Sequence, residues 1–173
     1  MSPTRESLLA AIAALSLLTV ASSASAAAES RGEPLSVTAS PRHLVYLDLL
    51  GKGGVWGVGF ERLLGDAVAA GAAFSFTLAS SQTVLSASPY LGVYPFAQGR
   101  HRWFLHAGPQ AVHTRIRSAA PEWPGTSSTR FGAQLSTGYE RRGRLVFRAY
   151  GMLVAGDGGL APWTGVSLGW SIR

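Results

Sequence analysis

From His43 onward the chain alternates bulky apolar residues with small or polar ones at a period of two. The clearest stretch is 67–78, AVAAGAAFSFTL. Val68, Ala70, Ala72, Phe74, Phe76 and Leu78 fall on one face of an extended strand there. Ala69, Gly71, Ala73, Ser75 and Thr77 fall on the other, because strand side chains point alternately up and down. Neither face carries a charge, so the bulky side needs a non-aqueous surface. The same design recurs at 43–50, 55–63, 83–96, 102–116, 129–140, 145–155 and 163–173, which predicts eight strands. Their bulky faces include Val45, Leu47 and Leu49; Trp56, Val58 and Phe60; Leu85, Leu91 and Val93; Leu105; Phe131 and Leu135; Leu145, Phe147 and Leu153; and Val166, Leu168, Trp170 and Ile172.

Turn signals fill the gaps. Gly51-Lys52-Gly53-Gly54 suits a tight hairpin, and Arg141-Arg142-Gly143 suits a three-residue hairpin with Gly143 in the left-handed position. Residues 64–66 and 97–101 are turns, 156–162 is a loop, and 117–128 is the one long loop. Pro89 and Pro95 predict a bulge or an early strand end, since proline cannot donate to a ladder. Eight hairpin-linked strands return both termini to one end, together with the turns 64–66, 97–101 and 141–143. The long loop lies at the other end. Short turns opposite longer loops, with several strands reaching the ~9–11 residues of a tilted membrane strand, match the transmembrane barrel rule. The expected fold is therefore all-β: an eight-stranded antiparallel up-and-down transmembrane β-barrel.

The faces then assign roles. Phe60, Trp103, Tyr139 and Trp170 lie on outward faces near the turn end and form an expected aromatic girdle. Asp48, Glu61, Glu140 and Arg148 lie on inward faces and form an expected polar cluster in the lumen. An eight-stranded barrel is only wide enough for its own side chains. A buried arginine is costly without a partner. Arg148 is accordingly expected to bond at least one of the three acids and close the barrel to solutes.

The N-terminus has a different character. Arg5 precedes an apolar run, 8–21, too short to span a bilayer as a helix, and SSASAAA follows. This reads as a secretory signal cut after Ala26 or Ala28. The expected organisation is a signal peptide at 1–28, a flexible periplasmic lead-in at 29–42, and the barrel at 43–173. Zero cysteines excludes a disulfide scaffold, a Cys-ligated zinc site and lipoprotein anchoring. Charged residues make up 14% of the chain, well under the roughly 25–35% of a soluble domain's surface. The net charge of +6 would suit nucleic acid, but the arginines cluster at turns rather than along one face, so no nucleic-acid partner is expected.

Candidate chemistry is sparse. Gly165-Val166-Ser167-Leu168-Gly169 matches the G-x-S-x-G elbow, but that elbow needs a following helix and a later histidine, and only four residues remain. Small residues lining a strand explain it. Gly51-Lys52-Gly53-Gly54 lacks the phosphate-loop pattern around its lysine and reads as a turn. His101, His106 and His113 share one strand, but adjacent ones face opposite ways, and His101 and His113 lie roughly 40 Å apart at strand rise. A relay of His106, Ser136 and Glu140 is conceivable. No catalytic, cofactor or metal residue is assigned.

The span from Leu44 to Arg173 resembles the small eight-stranded outer-membrane β-barrel proteins, the group that includes the outer-membrane-protein-A transmembrane domain. Such chains finish on an alternating, aromatic-terminated strand read by the barrel-assembly machinery. Gly165–Ile172 is similar, although Arg173 stands where a terminal Phe is usual. The resemblance implies residence in a Gram-negative outer membrane, with its lipid and the assembly machinery as partners. It implies no single activity. Barrel hydrolases that use Ser, His and Asn together are not matched, since the chain has no Asn, and the His-x-Ser pair of barrel lipid A deacylases is absent. The leading expectation is a non-catalytic structural or surface-interaction barrel that meets an unknown partner through loop 117–128. The alternatives are a barrel-embedded lipid-modifying enzyme or narrow pore, and a soluble lipocalin-like periplasmic binding barrel.

Overall fold

The computed structural model describes residues 43–52, 54–117 and 125–172. The expected signal peptide, its cleavage site and the lead-in lie outside these residues, as does most of the long loop. Eight strands follow in order: β1 (His43–Leu49), β2 (Trp56–Leu63), β3 (Val68–Leu78), β4 (Gln82–Gln98), β5 (His101–Ile116), β6 (Thr126–Arg142), β7 (Leu145–Gly156) and β8 (Gly159–Ile172). Each pairs antiparallel with the next, and β1 pairs with β8 to close the barrel.

Period-two burial runs around the sheet. In β2 Trp56, Val58 and Phe60 are exposed while Gly57, Gly59 and Glu61 are buried. In β7 Leu145, Phe147 and Leu153 face out, and Arg148, Tyr150 and Met152 face in. Charged and hydroxylated side chains lie inside beside apolar ones such as Leu44, Phe104 and Val146, while the outer wall is mostly apolar. Phe74 is 58% exposed and Leu168 59%.

Inward glycines explain how bulky rings fit so narrow a tube. Tyr46 sits opposite Gly59 on one side and Gly169 on the other, Tyr90 opposite Gly71, His106 opposite Gly92, and Tyr150 between Gly138 and Gly165. A Cβ added to Gly71 would lie 2.5 Å from the Tyr90 ring, and one added to Gly165 would lie 2.6 Å from the Tyr150 ring. Glycine in a strand marks such close approach.

Several expected boundaries move. Pro95 does not end β4; the register with β5 shifts between Val93 and Phe96, and the strand continues to Gln98. A bulge leaves a residue out of the ladder, so the missing proline N–H is not called on. Val93, expected on the exposed face, is buried beside this irregularity. The loop expected at 156–162 is a tight Asp157-Gly158 turn with Gly159 at φ +95°, and Gly156 pairs with Gly159. Pro162 is accommodated because the first residues of β8 pair with β7 alone, β1 joining only from Val166 onward. Arg141 and Arg142, expected in a turn, belong to β6, and Gly143 is not in the left-handed region. Thr126–Ser128, expected in the long loop, open β6 opposite Thr114–Ile116.

Candidate functional site

The lumen is the most highly organised part of the molecule. β2 supplies Glu61, β4 Tyr90 and Tyr94, β5 His106, β6 Glu140 and Arg142, and β7 Arg148, all buried. Arg148 donates from Nη2 to Glu61 Oε2 at 2.7 Å and from Nε to Glu140 Oε2 at 2.5 Å. Arg142 donates from Nη2 to Glu61 Oε1 at 2.6 Å and from Nε to Glu140 Oε1 at 2.5 Å. Two guanidinium groups therefore bridge the same two carboxylates from β2 and β6. Tyr94 Oη sits among them, donating to Glu61 Oε1 at 2.6 Å and accepting from Arg142 at 2.9 Å and Arg148 at 3.0 Å. Tyr90 donates to Glu61 Oε2 at 3.1 Å.

This arrangement satisfies the rule for ions in a low-dielectric interior, where each charge needs both an opposite partner and hydrogen bonds to its remaining lone pairs or protons. Glu61, Glu140 and Arg148 are brought together across the barrel. Asp48 is not part of that network. It accepts from Tyr150 Oη at 3.0 Å and from Ser167 Oγ, higher in the lumen. Ser167, the serine of the G-x-S-x-G match, thus spends its hydroxyl on a strand-to-strand bond.

The β1–β2 loop folds into the far mouth. Leu50 and Lys52 adopt positive φ, 57° and 47°, and the loop folds inward. Ser75 Oγ, Ser86 Oγ and Gln110 Nε2 donate to the Lys52 carbonyl at 3.0, 2.7 and 2.8 Å. The ammonium lies 3.6 Å from the Tyr90 ring centroid and 3.4 Å from Tyr46 Oη. Trp163 Nε1 donates to the Leu50 carbonyl and pins the loop from β8. Burial pushes the Lys52 amine down from its usual 10.5 to about 7, with Asp48 opposing the shift and Arg148 adding to it. Lys52, Arg142 and Arg148 are the buried lysine and arginine residues among the described ones, and Asp48, Glu61 and Glu140 the buried acids.

Arg142, Lys52, Tyr90 and Tyr94 lie outside the cluster expected from the sequence, the two tyrosines although their parity is inward. Arg142 was assigned to a turn, although it stands two residues beyond Glu140 and continues the same inward parity. Lys52 reads as part of a tight hairpin, and only its setting among glycines hints that the backbone can turn inward. The conceivable relay does not assemble. His106 and Ser136 are cross-strand partners, but Ser136 Oγ has no hydrogen bond among the described residues. His106 is stacked between Tyr90 and Phe104 and approaches Glu61 at 3.6 Å.

On the outer wall, Phe60 and Trp170 flank Val45 at one level, while Trp103 faces Tyr139. Phe96, not among the four expected girdle residues, pairs with Trp103 and is 73% exposed.

No protein-family model and no curated protein matches the chain. Solved structures do. The N-terminal β-barrel domain of Pseudomonas aeruginosa OprF superposes with a TM-score of 0.62 at 13% identity, covering 76% of this chain and 97% of that one. The fold is that of the small outer-membrane β-barrels. Ail, the attachment invasion locus protein of Yersinia pestis, follows with a TM-score of 0.50 at 10% identity, covering 75% of this chain and 92% of that one. Neisserial surface protein A gives 0.49 at 10% identity, over 75% and 93%. At these identities the likeness extends to the fold and not to any activity.

Proposed function

We propose that this chain is a non-catalytic outer-membrane barrel with a sealed lumen, a rigid mount for the strand ends and loops at its far side. One observation carries the reading: large apolar residues face out from the strands, around an interior filled by paired Arg, Glu and Tyr side chains. A bilayer supplies the non-aqueous surface that such an exterior needs. A soluble ligand-binding barrel needs the reverse, a polar exterior and an apolar cavity. A pore needs an open path, and here Lys52 blocks one mouth while the double Arg–Glu bridge fills the interior behind it.

The longest hairpin, β5–β6, presents Arg115, Arg117 and Arg130 exposed at the far end, with His113 held by Thr129 at 2.9 Å. In this reading a surface partner meets that end, and the outer-membrane lipid and the barrel-assembly machinery are the other partners. Cell fractionation combined with planar-bilayer recording of the purified full-length protein tests the proposal. Outer-membrane residence without steady conductance is expected. Recovery in the soluble periplasm, or steady single-channel currents, would overturn it.

A further inference from the structure

The turn end carries basic residues on its outer wall in a pattern that packing alone does not explain. His43 lies directly opposite Arg62 across β1–β2, and His101 directly opposite Arg141 across β5–β6, on the other flank of the barrel. All four belong to the outward parity set by Val45, Phe60, Trp103 and Tyr139. Each pair sits two residues beyond that aromatic level, about 7 Å further toward the turns at strand rise. Neither pairing offers an opposite charge, so neither gains an ion pair across the ladder.

Each couple also leans on the girdle. The His43 ring stacks on Phe60 at 5.8 Å between centroids, and His101 Nδ1 and Tyr139 Oη share a hydrogen bond of 2.5 Å. Between the two flanks, the Arg144 guanidinium lies 4.7 Å from the Trp170 ring centroid. Arg62, Arg100, Arg141 and Arg144 are all exposed. None is within ion-pair distance of a carboxylate among the described residues. Of the acids near this end, Glu61 and Glu140 are buried in the lumen and Asp66 is exposed, while the other exposed acid among the described residues, Asp157, lies at the far end.

We infer that this rim is a binding surface for the phosphate groups of anionic phospholipids in the leaflet at the turn end. The girdle fixes the depth of the barrel at the acyl–headgroup boundary. The basic residues just beyond it then lie in the headgroup layer, where a phosphodiester accepts hydrogen bonds from both members of a cross-strand pair. The inference rests on the membrane reading given above. A basic residue at an anionic surface strengthens attraction by about fivefold, and salt weakens the effect over a Debye length.

The test uses full-length protein in nanodiscs of mixed phosphatidylcholine and phosphatidylglycerol, with retained lipid counted by native mass spectrometry after release. Folded wild-type protein is expected to retain phosphatidylglycerol in clear excess over its share of the bilayer, with the excess shrinking at high salt. R62Q/R141Q/R144Q is expected to lose that excess, whereas the far-end variant R115Q/R130Q keeps it. Absence of any preference in wild type, an undiminished preference in the triple variant, or equal loss in both variants overturns the inference. Failure to insert into either lipid counts against the membrane reading instead, so the two failures are distinguishable. If the triple variant does not fold, the salt dependence of the wild-type preference and the far-end variant still decide: a salt-insensitive preference, or one lost in R115Q/R130Q, overturns it.

Discussion

Replacing Arg148 with methionine removes one of two cations that hold Glu61 and Glu140. Arg142 and Arg148 balance Glu61 and Glu140 in the wild-type network, so the variant leaves two buried acids sharing one guanidinium. Breaking a buried ion pair by deleting one partner costs about 3–5 kcal/mol. Arg142 still reaches both carboxylates, at 2.5 and 2.6 Å, and Tyr90 and Tyr94 still donate to Glu61. The expected loss is therefore at the low end, about 3 kcal/mol. Glu61→Gln alone should cost a similar amount, since it leaves two buried arginines sharing the Glu140 carboxylate. The pair of changes together restores the balance of charge, so its cost should fall well short of the sum, with a coupling of about 2 kcal/mol. Urea unfolding in lipid vesicles, followed by tryptophan fluorescence and by the gel mobility of folded barrel, measures all three. A loss under about 1 kcal/mol for Arg148→Met, or strict additivity in the double variant, would refute the account of the lumen as a mutually dependent network.

Four further outcomes follow from the geometry. Lys52 has a folded-state value near 7 against 10.5 unfolded, so between those pH values the unfolded chain binds more protons. Wild-type stability should then rise relative to Lys52→Met from pH 7 to about 10, by at most about 1.4 kcal/mol per pH unit; parallel pH profiles for the two proteins would contradict the burial of the charge. Phe74→Arg should cost about 2–4 kcal/mol of insertion free energy by placing a cation on the lipid face, and normal outer-membrane assembly of this variant would count against that face. Ser75→Arg should also fail, since Ser75 Oγ contacts Ser86 Oγ at 2.5 Å and the Lys52 carbonyl at 3.0 Å, leaving no room without expelling the β1–β2 loop. Gly71→Ala should destabilise by about 1–3 kcal/mol through overpacking against Tyr90, while Gly151→Ala, whose Cβ would meet nothing within 4 Å, should be neutral in the same unfolding assay.

Much of this protein was determined by the sequence alone, because a β-strand writes its two faces into alternate positions. The inward placing of Asp48, Glu61, Glu140 and Arg148 and the outward placing of Phe60, Trp103, Tyr139 and Trp170 follow from parity, and parity survives errors of a residue or two in strand ends. Strand ends themselves do not follow from it. Pro95 reads equally as a bulge or a strand end, and Pro162 falls in an expected loop, yet both lie within strands, and only the neighbouring strands decide whether a missing N–H matters. Which inward groups meet was equally beyond the pattern. Register across the closed sheet sets Glu140 beside Arg148 and brings Glu61 within reach from β2, while Asp48, on the same inner wall, ends at a different height with Tyr150 and Ser167. Lys52 shows the limit most plainly. Its local sequence specifies a turn, and the direction of that turn depends on Ser75, Ser86 and Gln110, three strands that capture its carbonyl only once the barrel has closed.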